Sequence, residues 1–89
     1  MSQTPDSSSK TQRRSIDTKT LMLLNDNYNT VDHVIDCLEA ICDHSSLQAE
    51  QCAVITHYLG QCAIKKGSIE ELEFFRQDLS LYGLNVKIL

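Results

Sequence analysis

Apolar residues in this chain fall into blocks whose spacing shifts between continuous, three-and-four and alternating, and each shift marks a new element. Leu21-Met22-Leu23-Leu24 is a short apolar run closed by the polar cluster Asn25-Asp26-Asn27, which predicts a buried strand over about residues 18–24. From Val31 the spacing turns helical. Val31, Val34, Ile35, Leu38, Ile41 and Cys42 form one stripe, with Asn29 or Thr30 as the cap and Asp32 in the positive first turn. Asp43-His44-Ser45-Ser46 interrupts it. Ser45 and Gln48 make a capping box for a second helix, with Ala49, Cys52, Ala53, Thr56 and Leu59 as its inner face and Gly60 as its left-handed stop. The two helices read as an αα-hairpin. A strand is predicted from Gln61 to Lys66, and Ser68 with Glu71 opens a third helix whose Ile69, Leu72, Phe75 and Leu79 face inward, up to Tyr82-Gly83. Leu84, Val86 and Ile88 then alternate with Asn85 and Lys87, the period of a half-buried strand. The order β-α-α-β-α-β, with no internal repeat, predicts an α+β fold: a small sandwich with a three-stranded sheet covered on one face by three helices.

At 89 residues there is room for one domain, burying about 60% of its unfolded surface. Only Met1 is apolar among residues 1–14, too little to offset the entropy of ordering. Residues 1–17 are therefore expected to form a disordered tail, either a solubilising leader or an arm that engages a partner, and residues 18–89 the folded domain. The net charge of −4 divides unevenly, +2 over residues 1–19 and −6 over the remainder. An acidic body argues against nucleic acid as a partner. No run reaches the roughly 18 apolar residues that cross a bilayer, and the start of the chain lacks a signal-type apolar stretch, so no membrane partner and a cytoplasmic location are expected. In that setting Cys37, Cys42, Cys52 and Cys62 are expected as reduced, buried thiols, because their spacing contains no Cys-x-x-Cys zinc knuckle. No cofactor or metal is expected. His33, four residues before Cys37, has a ligand-like spacing but no third ligand nearby.

Polar groups gather beside apolar ones at two places, the Asn25-Asp26-Asn27 corner and Thr56-His57-Tyr58 in the last turn of the second helix. If the hairpin packs against the first strand, both converge on one rim. A carboxylate, carboxamide oxygens and an imidazole are rich in acceptors, so they suit an ammonium group better than a phosphate. A free α-amino group, with a pKa of about 7.7–8.0, is mostly charged at neutral pH and offers three donors. Val31, Val34, Ala53 and Thr56 lie beside these groups and would line an apolar hole, so the first residue of a peptide would fit. The plainer alternatives are that Asn25 and Asp26 only shape a turn and that His57 only caps helix carbonyls.

Asn-Asp-Asn-Tyr-Asn-Thr after an apolar strand, with His-Tyr-x-Gly about thirty residues later, resembles the ClpS family, adaptors of the bacterial Clp protease. The resemblance covers roughly residues 19–89. It implies a monomeric, non-enzymatic adaptor that binds the N-terminal residue of substrate proteins and delivers them to a Clp-type AAA+ unfoldase. By position, Asn25, Asp26 and His57 match the residues that hold the substrate α-amino group. Val31, Val34, Ala53, Thr56 and Asn29 match the wall of the side-chain pocket, with Val31 where a methionine is usual and Asn29 where threonine is common. A β-branched Val31 should widen the entrance and admit Ile or Val as the first residue beside Phe, Leu and Tyr. Glu70 matches an acidic position in the unfoldase-docking helix, whereas Phe75 stands near a usual lysine. The competing reading is a small protein-interaction domain of the same topology, like the ribosomal stalk C-terminal domain, without N-terminal recognition. Catalysis is not expected: Cys52 and His57 are five residues apart on one helix, an awkward separation for a nucleophile and its base, and no phosphate loop or nucleophile elbow is present.

Overall fold

The computed structural model describes residues 18–89; the tail expected at residues 1–17 lies outside the described residues. Six elements follow in the expected order: β1 (Lys19–Leu24), α1 (Val31–Cys42), α2 (Ser46–Leu59), β2 (Gln61–Gly67), α3 (Ile69–Leu81) and β3 (Val86–Ile88). The sheet order is β2-β1-β3, and both pairings are antiparallel. β1, the most apolar strand, takes the central place, which pairs its backbone on both sides and buries Leu21, Met22 and Leu23.

Leu21 and Leu23 project from one face of β1 into a cluster with Cys37 and Leu38 of α1, Ala49 and Cys52 of α2, and Leu72 and Leu79 of α3. All three helices therefore cover the same face. The register of β2 breaks where Leu21 pairs with Lys65 and Met22 with Ala63, leaving Ile64 as an extra residue. This bulge turns Lys65 to the helix side of the sheet, where its ammonium lies 4.7 Å from the centre of the Phe75 ring. Phe75 is half-buried, packed against the core rather than enclosed by it.

The helix ends follow local chemistry. Thr30 caps α1, its hydroxyl oxygen accepting the His33 N–H at 3.1 Å. Asp43 closes α1 in a left-handed conformation (φ 57°), a place glycine usually takes, and the N–H groups of Asp43 and His44 both reach back to the Leu38 carbonyl. Ser45 and Gln48 form a complete reciprocal box, and the Ser68 hydroxyl accepts the Glu71 N–H.

Periodicity overreaches at three helix ends. Leu59 is 76% exposed, Ile69 43% and Val31 53%, because each occupies a terminal turn that overhangs the core. β3 is shorter than its alternation implied. Leu84 precedes the strand, yet it is buried in the core.

Candidate functional site

The corner after β1 is stitched to two distant segments by its own backbone. The Leu24 N–H donates to the Asn85 carbonyl at 2.8 Å, and the Asn25 N–H donates to the Gly60 carbonyl at 2.9 Å. Gly60 is where α2 ends, in the left-handed conformation (φ 91°) that glycine adopts freely. The second bond brings the last turn of α2, with His57, to the corner.

One pocket lies at this junction. It is lined by Leu23, Leu24, Asn25, Asp26, Asn29, Val31, Val34, Ala53, Thr56, His57 and Leu84. The structure thus brings together all eight residues expected of the amine rim and the apolar wall. Glu70 stands apart, on the exposed first turn of α3. The unfilled space is about 460 Å³ with its open mouth, of which the centre of a water molecule can reach about 70 Å³. An ordered water needs about 10–15 Å³ on that measure, so the closed part suits a single side chain. Its closed end is made by Leu23, Ala53, Thr56 and Leu84, all buried, while Asn25, Val31 and His57 are exposed at the mouth. The Thr56 hydroxyl donates to the Cys52 carbonyl at 2.8 Å, so its proton is already engaged within the helix.

Asp26 is the electrostatic centre of the rim. Its Oδ1 accepts the N–H groups of Tyr28 and Asn29, each at 2.9 Å, and its Oδ2 accepts Nδ2 of Asn29 at 2.8 Å. Partial burial pushes the carboxyl pKa up, but the hydrogen bonds from Asn29 and Tyr28 outweigh it and hold the group below its ordinary value of 3.8. Asp26 is a carboxylate at neutral pH, fixed in direction. Among the described residues, neither the Asn25 carboxamide nor the His57 imidazole has a hydrogen-bond partner in the protein; the imidazole meets the Tyr58 ring edge-on at 4.9 Å. The C-terminal end of α2 adds partial negative charge on the same side.

Leu23, Leu24 and Leu84 belong to the pocket, although the hydrophobic pattern predicts them only as strand residues. Leu84 had a signal, its place directly after the α3 stop at Gly83. The two Leu residues of β1 had none. Cys37, Cys42 and Cys52 are buried, Cys62 is half-buried, and all four are free thiols. Burial raises the Cys42 pKa to about 11 and that of Cys52 to about 12, the latter helped by the neighbouring Cys62. No group of three or more His, Cys, Asp or Glu side chains among the described residues could hold a metal ion. His33 turns its Nε2 to the Tyr82 carbonyl at 2.8 Å, with Sγ of Cys37 at 3.6 Å. Among the described residues, no helix is long and apolar enough to cross a membrane.

Residues 16–86 match the family model of the ATP-dependent Clp protease adaptor protein ClpS. The chain belongs to the ClpS family. The ClpS adaptor of a Nostoc species is 32% identical over 84 residues, covering 93% of this chain and 87% of that one. The ClpS adaptor of a Synechocystis species is 31% identical over 84 residues, covering 93% and 86%. The structure of Agrobacterium tumefaciens ClpS2 bound to L-phenylalaninamide has the same fold. It superposes with a TM-score of 0.79 over 82% of this chain and 95% of that one, at 19% identity.

Proposed function

We propose that this ClpS-family adaptor recognises the N-terminal residue of proteins and passes them to a Clp-type AAA+ unfoldase, with no chemistry of its own. The observation that carries the reading is a single pocket combining a fixed carboxylate, two open acceptor side chains and an apolar end sized for one side chain. Asp26 supplies the counter-charge for the α-amino group, Asn25 a directional acceptor through its carbonyl oxygen, and His57 a further acceptor when neutral. Val31, Val34, Ala53, Thr56 and Leu84 receive the first side chain. L-phenylalaninamide, the ligand of the Agrobacterium ClpS2 structure, has the same three parts: a free amine, a bulky apolar side chain and an amide where a peptide continues. Delivery is assigned to the exposed side of α3, where Glu70 is the docking candidate.

Selectivity follows from the acceptors. Acetylating the amine removes the charge and two of its three N–H donors, so Asn25, Asp26 and His57 share at most one donor from the ligand in a closed contact, at about 1–3 kcal/mol for each acceptor it leaves unpaired. Isothermal titration with peptides that differ only at residue one, each free and N-acetylated, tests both halves of the site. Free Phe, Leu and Tyr peptides should bind, Ile and Val peptides should bind within about tenfold of them because β-branched Val31 leaves the mouth wide, and acetylated ones should fall by at least about tenfold. Equal affinity for free and acetylated peptides would overturn the reading. Failure of Ile and Val alone would overturn only the role given to Val31.

A further inference from the structure

Asn29 lines the pocket, yet its carboxamide is engaged elsewhere. Nδ2 donates to Oδ2 of Asp26 at 2.8 Å and to the Gly83 carbonyl at 2.9 Å. Both partners are pure acceptors, so the orientation of the amide is fixed, with one proton for each. The Asn29 N–H donates to the other Asp26 oxygen at 2.9 Å. Gly83 has a left-handed backbone (φ 89°) and is followed by Leu84, the buried wall of the pocket. One side chain therefore ties the counter-charge, the segment entering α1 and the turn that places the wall, across 54 positions of sequence.

We propose that Asn29 is the positioning residue of this site, bridging the Asp26 carboxylate and the Gly83 carbonyl so that the amine rim and the Leu84 wall are held in one arrangement. This rests on the N-terminal recognition reading, and it deepens the role of a residue otherwise counted as part of the wall. A threonine at the same place has a single hydroxyl proton and reaches at most one of the two acceptors. The bridge needs an NH₂ group. A second strut runs alongside it, from Nε2 of His33 to the Tyr82 carbonyl, so losing the first loosens the turn without releasing it.

A positioning residue and a wall residue differ in what they change. Loss of the bridge weakens every free-amine ligand alike, whereas a change in the wall reorders the preferred first residues. The test compares the intact chain with Asn29→Ala and Asn29→Thr, both checked for folding by circular dichroism. Three readouts are needed: the Asp26 carboxyl titration by carbon NMR, amide exchange at Gly83–Asn85, and the peptide panel. Among titratable groups His57 shares the pocket with Asp26, so its own titration is followed in the same spectra. In Asn29→Ala the Asp26 midpoint should rise, exchange at Leu84 should quicken, and all free-amine peptides should weaken about three- to tenfold in unchanged order. Asn29→Thr should recover the Asp26 midpoint or the slow exchange, not both. An unmoved midpoint with unmoved exchange, a reordered panel, or an Asn29→Thr variant equal to the intact chain in all three would overturn the proposal. If the intact chain binds no free-amine peptide, the recognition reading fails, while the midpoint and the exchange still decide whether Asn29 sets the corner. Should Asn29→Ala not fold, Asn29→Thr carries the same comparison.

Discussion

The corner at residues 25–30 and the outward side of α3 are both acidic and polar, yet they are built in opposite ways. At the corner, Leu24 and Asn25 donate backbone bonds to Asn85 and Gly60, and the Asp26 carboxylate accepts three donors. Every constraint there comes from a neighbouring turn or a distant segment. On α3, Glu73 pairs with Arg76 three residues on, within the same helix, and Glu70 is exposed. Groups held by other segments cannot reorient when a ligand arrives, so their cost of ordering has been met in folding and they can discriminate. Charges on a free helix face move with solvent and salt, which suits a docking surface that tolerates change.

Removing the Asp26 carboxylate should break this contrast most. Asp26→Ala is expected to abolish detectable binding of free-amine peptides, on the order of a hundredfold or more, and to cost about 1–2 kcal/mol of stability through lost turn bonds. Asp26→Asn separates the two roles. Its carbonyl oxygen still accepts the Tyr28 and Asn29 N–H groups, but its NH₂ group then faces Nδ2 of Asn29 and that bond is lost. Urea unfolding should therefore show a smaller loss than in Asp26→Ala, while titration shows binding lost with the charge. Retained affinity in Asp26→Asn would show that the site reads shape and not charge.

Much of the fold was legible because its signals are local. Ser45 with Gln48, Thr30, and Gly60 act through atoms within four residues of themselves, and the continuous apolar run of β1 marks a strand buried centrally. The pocket was legible residue by residue, but not as an enclosure. What closes it is the Asn25–Gly60 bond between two backbones, to which no residue type points. The same limit hides the bulge at Ile64, since Ala63 and Ile64 are both apolar and either alternation fits. Leu59 and Ile69 are exposed where the pattern predicts burial, because a periodic stripe continues to the end of a helix whether or not a neighbour remains to cover it. Asn29 shows a subtler gap. Sequence assigns it to a cap or a wall, while its bridge to Gly83 depends on where the α3–β3 turn comes to rest.

A second effect of intermediate size belongs to the core behind the pocket. Cys42 and Cys52 are held protonated by burial, with pKa values near 11 and 12 against an ordinary 9.0. In the unfolded chain they ionise from about pH 9, while in the folded chain they do not. Their contribution is therefore fully present below pH 9.0 and is lost as pH rises through the folded values, by at most about 1.4 kcal/mol per thiol for each pH unit. Urea unfolding at pH 7, 9 and 10 should show stability level to 9 and then falling. Alkylation of the two thiols should follow global unfolding rather than thiolate formation at the surface. Fast labelling of Cys52 in the folded chain would mean that the wall behind Ala53 and Thr56 opens, and that the pocket is less fixed than the corner bonds require.

The smallest effects should come from α3, and their smallness matters. Glu70→Lys reverses a charge on an exposed first turn, and Glu73→Gln removes half of a pair that one helix makes with itself. Neither residue lines the pocket. Peptide affinity should stay within about twofold and the melting temperature nearly unchanged, since exposed pairs of this kind add little. Glu70→Lys should nevertheless slow degradation of a free-amine substrate in a reconstituted unfoldase and protease assay, and slow it less as salt screens the contact. Binding kept with delivery impaired would separate the two faces functionally as they are separated physically. A Glu70→Lys variant that lost peptide affinity would mean instead that α3 and the corner are coupled, and the strut from His33 to Tyr82 at the end of α3 would be the first connection to cut.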